Sequence, residues 1–276
     1  MVVVDDGSTD GSRELIESYG DRVTALELPE SRGQLAAINA GFAACRGAFV
    51  FLLDSDDVFL AGKVADVMDV FARHPEAGAC FHRRDLLASD GITPGPAFGL
   101  SGLTDCREEV RAGRPPFIAT TLSALCFRRQ ALEALLPAPE TPAQSLGDHF
   151  LKWATLATTP VVLEPQALTL QRIHGRNRYT RNRHWRETAD KQSLNALWVR
   201  RRLPGGIPLS RRLIVEASAQ HLRHGESPRR SWAIQEYFAE VGRVRSASLL
   251  ARSAAAVVRG GLRSLAARPE PATVPG

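Results

Sequence analysis

Long apolar runs are missing from this 276-residue chain. None approaches the roughly 18 residues that a membrane-crossing helix needs. No basic-then-apolar leader opens it, so nothing in the sequence marks it for secretion. Cysteine is sparse, and Cys45, Cys80, Cys106 and Cys126 lack C-x-x-C spacing. That pattern argues against a zinc or disulfide framework and for reduced, mostly buried thiols. Lysine is scarcer still, with three residues against 32 arginines, and no internal repeat is visible. A cytoplasmic location is the expectation.

The composition, 44% hydrophobic and 24% charged, is that of an ordinary soluble protein with ample core. The net charge of +5 conceals an asymmetry. Residues 171–276 carry 21 basic and 7 acidic side chains, whereas 1–170 carry 14 and 23. The basic half either meets an anionic surface or partner or is a solvated Arg-rich helical region. Nucleic acid is not expected as a partner. Trp185, Trp198, Trp232 and Tyr237 are not interleaved with the cations as a stacking surface.

The first half alternates strand-like and helix-like segments. Val2–Asp5 reads as a strand, Asp10–Tyr19 as a helix, Val23–Leu28 as a strand, Gln34–Cys45 as a helix and Ala48–Asp54 as a strand. Such alternation predicts βαβ units in a mostly parallel sheet flanked by helices. Asp57 should begin a further helix, with Leu60, Val64, Val67, Met68 and Phe71 on one face. Residues 91–113 read as loop and Phe117–Phe127 as a strand. A helix is expected over Asp148–Leu156, then short strands at Val161–Leu163 and Leu168–Ile173.

Beyond His174 only helices are expected, including Ile214–His221, Trp232–Val241 and Ala247–Ala267. In the last, Leu250, Ala254, Val257, Val258, Leu262 and Leu265 share an arc opposite Arg252, Arg259 and Arg263. Two readings stand for this helix. It packs on the domain, or it makes a peripheral contact with an anionic membrane at the inner face of the cell membrane.

Two apolar runs end in carboxylates: Val2-Val3-Val4-Asp5-Asp6 and Phe51-Leu52-Leu53-Asp54-Ser55-Asp56-Asp57. Strand tips are where open α/β sheets place ligands. Alternate residues of an extended chain point the same way, so Asp54 and Asp56 can face one hard cation, Mg²⁺ or Mn²⁺. Adjacent Asp5 and Asp6 exceed what a turn needs, and a carboxylate there can accept the N3–H of a uracil base. Ser8 or Asp10 would cap the next helix. His174 ends a strand among Arg172 and Arg176, cations able to hold phosphate. Asp148 at a helix start is either a favourable charge there or a general base.

In order, V-V-V-D-D-G-S-T-D-G-S, G-Q-x-x-A-I-N-A-G-F over Gly33–Phe42, F-L-L-D-S-D-D, G-D-H-F-L and R-I-H-G-R-N resemble the inverting family 2 glycosyltransferases of the GT-A fold. The resemblance covers about residues 1–180 and stops before the helical region 181–268; residues 269–276 are expected to be disordered. It implies a Rossmann-like α/β domain followed by an all-helical C-terminal region. The implied reaction moves a sugar from a nucleotide-sugar donor, most often a UDP-sugar, to a glycan or lipid-linked acceptor hydroxyl with inversion. Asp5 and Asp6 would contact the nucleoside, and Asp54 and Asp56 the ribose and the divalent metal. His174 would approach the metal or diphosphate, Arg172 and Arg176 the diphosphate. Asp148 would deprotonate the acceptor. Asn39 and Gly41 would be structural.

Two departures accompany the resemblance. The family's Glu-Asp is here Gly147-Asp148. A first strand of S-V-I-I-P-x-Y-N type also precedes V-V-V-D-D-G-S in the family, whereas Met1 abuts that strand here. The expectation is either a start codon further upstream or a fragment, with two interior strand edges left unpaired. Two other classes compete with sugar transfer. A nucleotidyltransferase would need a Gly-rich basic loop that is not visible. A non-catalytic nucleotide-binding or scaffold protein is separated from an enzyme by turnover.

Overall fold

The computed structural model describes residues 1–138, 148–174, 177, 185–203 and 205–266, with the backbone alone described at Asp148 and 261–266. In chain order the first elements are β1 (Val2–Asp5), α1 (Ser12–Glu17), β2 (Thr24–Glu27), α2 (Gln34–Ala44), β3 (Phe49–Phe51), β4 (Val58–Phe59) and α3 (Lys63–Arg73). Next come β5 (Ala79–Ala88), β6 (Gly91–Thr93), β7 (Gly102–Thr104), α4 (Arg107–Arg111), β8 (Leu125–Arg128), α5 (Arg129–Glu133), α6 (Asp148–Thr158) and β9 (Val161–Arg172). Helices α7 (Trp185–Arg202), α8 (Ile207–Arg223), α9 (Trp232–Val241) and α10 (Arg243–Ala266) follow.

The chain divides into two compact units, the described residues of Met1–Arg183 with Trp198–Leu209, and those of His184–Leu197 with Ser210–Gly276. In the first unit β1 and β2 pair in parallel as a two-stranded sheet. A second sheet of seven strands runs β3-β8-β5-β9-β4, with β6 on β5 and β7 on β9. The α/β class is as expected. Parallel pairing is confined to β1–β2 and the long β5–β9 ladder, and the other five ladders are antiparallel. The two carboxylate-bearing strand tips, β1 and β3, therefore belong to separate sheets.

The core of the seven-stranded sheet is built on β5, β8 and β9. Val67, Val70, Phe71, Ala77, Cys80, Cys126, Val162 and Leu168 form one buried cluster, with Phe49 and Phe51 packed against it. Cys80 and Cys126 are register partners across β5 and β8 and are buried free thiols, in line with the sparse, unpaired cysteine pattern. Burial pushes the Cys126 thiol up to about 12 and that of Cys80 further still.

Several local expectations are corrected. Asp57 does not begin a helix: Val58 and Phe59 pair with Leu170 and Thr169 of β9, and α3 starts at Lys63 after left-handed Gly62. The inward face of α3 is Lys63, Val67, Val70 and Phe71, while Val64 points to solvent. The segment 91–113 contains β6, β7 and α4 rather than loop alone. Phe117–Phe127 yields a strand only from Leu125, after a 3-10 turn at Leu122–Ala124. The two strands expected over 161–173 are one. The β5–β9 register shifts between His82 and Arg84, opposite the stretch containing Pro165, which cannot donate to the ladder.

In the second unit, Leu194, Leu197, Leu213, Ile214, Ile234, Tyr237 and Phe238 are buried. Ser210 Oγ hydrogen-bonds Tyr237 Oη at 3.0 Å, giving the buried phenol a partner. The inward face of α10 is Ser246, Leu249 and Ser253, one residue out of phase with the expected stripe; Val258 stays exposed. The serines tolerate burial because their hydroxyls donate to carbonyls four residues back, Ser246 to Gly242 and Ser253 to Leu249. The side chains of Leu262, Arg263 and Leu265 and the whole of 269–276 lie outside the described residues. Among those described, no helix is long and apolar enough to cross a membrane.

Candidate active site

Each strand tip is fixed by hydrogen bonds between backbone amides and side-chain oxygens. After β1 the chain turns at Gly7, with a left-handed φ of 73°. Asp6 then reaches across to the start of α2, accepting from Arg32 N at 2.8 Å, Gly33 N at 2.8 Å and Ser31 Oγ at 2.9 Å. These bonds satisfy amides at the entry to α2, where helical partners are lacking. Asp5 turns inward, 4% exposed, and accepts from Ser8 N and Arg13 Nε at 3.2 Å each. The hydrogen bond from Ser8, joined by Arg13, holds its carboxyl below the ordinary carboxylate range. Ser8 thus binds Asp5 instead of capping α1; Asp10 takes the cap-like position, accepting from Ser12 N and Oγ. Both carboxylates of the β1 tip are engaged in shaping the loop.

A Cβ on Gly7 would lie 2.7 Å from Glu30 C and from Ser31 N. That peptide bond cannot yield as a flexible side chain would, and the left-handed φ adds strain. Gly7→Ala is expected to cost about 1–3 kcal/mol. A urea titration checks this; an unchanged midpoint would mean that the loop does not pack against 30–33 as described.

Helix α2 links this loop to the second tip. Gln34 Nε2 donates to Asp54 Oδ1 at 2.7 Å. Asn39 exchanges two hydrogen bonds with the Ala138 backbone, and a Cβ on Gly41 would stand 3.1 Å from Val4 Cγ2. Both have the packing roles their sequence context suggested.

At the second tip, Asp54 N donates to Ser123 Oγ at 2.9 Å. Asp56 Oδ2 lies 3.0 Å from His174 Nε2 and 3.4 Å from Asn177 Nδ2, and the Asp56 and His174 side chains are each over a third exposed. Arg172 Nε donates to Asp56 O, and Arg172 N donates to Asp57 Oδ1, both at 3.0 Å. Burial pushes the Asp57 carboxyl up, against the Ser123 hydroxyl and the Arg172 amide, which favour its charge. The structure therefore brings Asp56, His174 and Arg172 together across 116 and more positions of sequence. Asp54 stands beside Gln34 and Ser123. Arg176 and the Asp148 side chain lie outside the described residues.

The pairing of a carboxylate with an imidazole at a half-exposed loop suits a borderline-hard divalent cation. Among the described residues, no group of three His, Cys, Asp or Glu side chains is close enough to hold a metal ion by itself. Asp56 and His174 fit a site that takes its remaining ligands from phosphate oxygens and water, the usual habit of Mg²⁺.

Residues 1–98 match the family model described as glycosyl transferase family 2. A crystal structure of S. aureus TarS in complex with UDP-GlcNAc superposes with a TM-score of 0.57 at 15% identity, over 91% of this chain and 69% of that one. The chain has the GT-A fold of family 2 glycosyltransferases. Among relatives, an uncharacterized glycosyltransferase of Nostoc sp. is 29% identical over 188 residues, 65% of this chain. This chain spans 57% of that relative's length. The succinoglycan biosynthesis protein ExoO of Rhizobium meliloti is 35% identical over 94 residues, 33% of this chain and 26% of ExoO.

Sequence reasoning misses four groups of this candidate site: Gln34, Lys63, Ser123 and Asn177. Lys63 is 1% exposed; its Nζ donates to Ser123 O at 2.6 Å and Thr169 Oγ1 at 3.1 Å and lies 3.4 Å from the centre of the Phe59 ring. Burial lowers its pKa from 10.5 to about 8. Gln34 and Asn177 alone carry a local signal, their places in the G-Q-x-x-A-I-N-A-G-F and R-I-H-G-R-N runs.

Proposed function

We propose that this chain is a glycosyltransferase that moves a sugar from a nucleoside diphosphate sugar to an acceptor hydroxyl with inversion. The observation that carries the reading is the convergence of His174, Asn177 and Arg172 on Asp56 at the tip of an α/β sheet. A residue that has gathered an imidazole on its carboxylate and a guanidinium on its carbonyl, both from a distant segment, is built to meet a polyanion and its counter-ion. UDP is the first nucleotide to test, because the structurally similar TarS was crystallised with UDP-GlcNAc.

In this reading the β1 loop, shaped by Asp5 and Asp6, borders the nucleoside, and Asp54 borders the ribose. Asp56 and His174 would hold Mg²⁺ or Mn²⁺, which would supply charge neutralisation for the diphosphate. Arg172 and Arg176 stand by to balance negative charge on the leaving group. Asp148 accepts the proton of the acceptor hydroxyl as that oxygen bonds to the anomeric carbon. The bond from that carbon to the diphosphate breaks on the opposite face, and the nucleoside diphosphate leaves with its electron pair. The acceptor is read as a cell-surface glycan or its lipid-linked precursor, in keeping with the succinoglycan role in the name of ExoO. Membrane contact through α10 has less behind it, because Leu249 is buried and Leu250 half-buried.

Thermal unfolding with UDP, GDP and dTDP, each with Mn²⁺ or with EDTA, tests the donor site. One nucleotide at a hundredfold excess over its Kd should stabilise by about 2.7 kcal/mol. EDTA should remove the effect. Release of that nucleotide from its sugar ester then separates an enzyme from a binding protein. No shift with any of the three sinks the reading.

A further inference from the structure

Lysine is rare here, and Lys63 is spent in the interior of the first unit. Among the described residues no carboxylate lies within ion-pair distance of its ammonium: its contacts are a carbonyl, a hydroxyl and an aromatic face. The ionisable groups that face it are Asp57 from the β4 approach, Cys80 and His82 from β5, and Cys126 from β8. None of these is within ion-pair distance, although Asp57 favours its charge from further away. Burial and Lys63 itself drive the His82 pKa down to about 3, so that ring is neutral. The two thiols are pushed well above the ordinary range.

A buried ammonium in such surroundings costs stability at neutral pH. Its folded pKa lies below the ordinary 10.5, so the fold favours the neutral amine. The cost is present below about pH 8 and fades as the pH rises through the window from about 8 to 10.5. An apolar side chain of similar length would fill the same space without it. Such a group is a candidate for function.

Its contacts show what it does. Lys63 Nζ and Thr169 Oγ1 both donate to Ser123 O, and Ser123 Oγ receives Asp54 N. Thr169 lies on β9 opposite Phe59, and three residues on along β9 Arg172 grips Asp56 O and Asp57 Oδ1. Lys63 thus ties together the two segments, the Leu122–Ala124 turn and β9, that hold the Asp54–Asp57 loop at its two ends. We propose that Lys63 is a positioning residue of the donor site, fixing the Asp54–Asp57 loop through Ser123 and Thr169 in the shape that receives the nucleoside diphosphate. This rests on the glycosyltransferase reading above.

The test is titration calorimetry with UDP and Mn²⁺ (or whichever nucleotide stabilises the wild type) on wild type, Lys63→Met, Ser123→Ala and the double variant, each with a urea curve. Lys63→Met is expected to unfold cooperatively, with a midpoint at or above that of wild type at pH 7, and to bind about tenfold more weakly. Ser123→Ala should weaken binding in the same sense, and the double variant should lose less than the two single losses combined. Wild-type affinity should also fall as the pH is raised from about 7 to 9, and that of Lys63→Met should not.

Wild-type affinity in Lys63→Met or in Ser123→Ala overturns the proposal. So does a Lys63→Met chain that is destabilised or unfolded, because the lysine is then a structural residue. A wild type that binds none of the nucleotides fails at an earlier step, and the glycosyltransferase reading falls first.

Discussion

Asp56→Ala is expected to reduce sugar transfer by about a hundredfold or more and to abolish stabilisation by nucleotide, while leaving the ligand-free unfolding midpoint within about 0.5 kcal/mol of wild type. The two halves of that expectation have separate causes. The Asp56 carboxylate is 40% exposed and its partners are the imidazole of His174 and the amide of Asn177. Exposed ion pairs of this kind contribute about 0–1 kcal/mol. The contact that ties this loop to β9 is made by the Asp56 carbonyl to Arg172, and alanine keeps it. Stability is therefore spared.

Function is not, because the removed carboxylate is the group on which His174 and Asn177 converge. Asp57→Ala provides the contrast. That side chain is buried and accepts the Arg172 amide, so its loss should appear in stability first. Full transfer activity in Asp56→Ala would remove the loop from the chemistry altogether. A large loss of ligand-free stability would mean that the carboxylate is structural.

The strand tips are legible in the sequence because apolar runs that stop at carboxylates combine a burial signal with a local one. The meeting of His174 with Asp56 is implied by resemblance alone, since 118 positions separate the two. What is not legible shares a physical cause. Val58 and Phe59 look helical in their own window, yet pairing with β9 more than a hundred residues later makes them a strand. Lys63 looks like a solvent-side residue because periodicity sorts side chains by polarity, and its partners Ser123 and Thr169 are 60 and 106 positions away. The apolar stripe of α10 falls one residue out of phase with its buried face for a similar reason. Ser246 and Ser253 count as polar in a pattern but satisfy their hydroxyls within the helix and go inside.

Phe71→Ala should cost more stability than any of the other substitutions, at about 3–5 kcal/mol. The ring is 1% exposed on α3, its centroid 5.0 Å from that of Phe49 at a 37° tilt. The Arg128 guanidinium covers both rings, 5.0 Å from Phe71 and 5.2 Å from Phe49, and donates to Phe71 O and Ala77 O. Removing the ring opens a cavity in the cluster and takes away one of the two aromatic faces under that cation. A loss of this size is a large share of the roughly 5–15 kcal/mol that holds a domain folded.

The same variant asks how far the core reaches into the site. Phe49 begins the strand that ends near Asp54, so the ring packs against the root of the Asp54–Asp57 loop rather than its tip. Nucleotide at saturating concentration should recover part of the lost stability by mass action. The affinity of the molecules that remain folded should match wild type, because Ser123, Thr169 and Arg172 hold the tip independently of Phe71. Urea curves with and without nucleotide, combined with calorimetry below the unfolding midpoint, read both quantities. An unchanged midpoint would contradict the burial of the ring. A weakened affinity in the folded fraction would show that the Phe49–Phe71 contact sets the loop as well as the core.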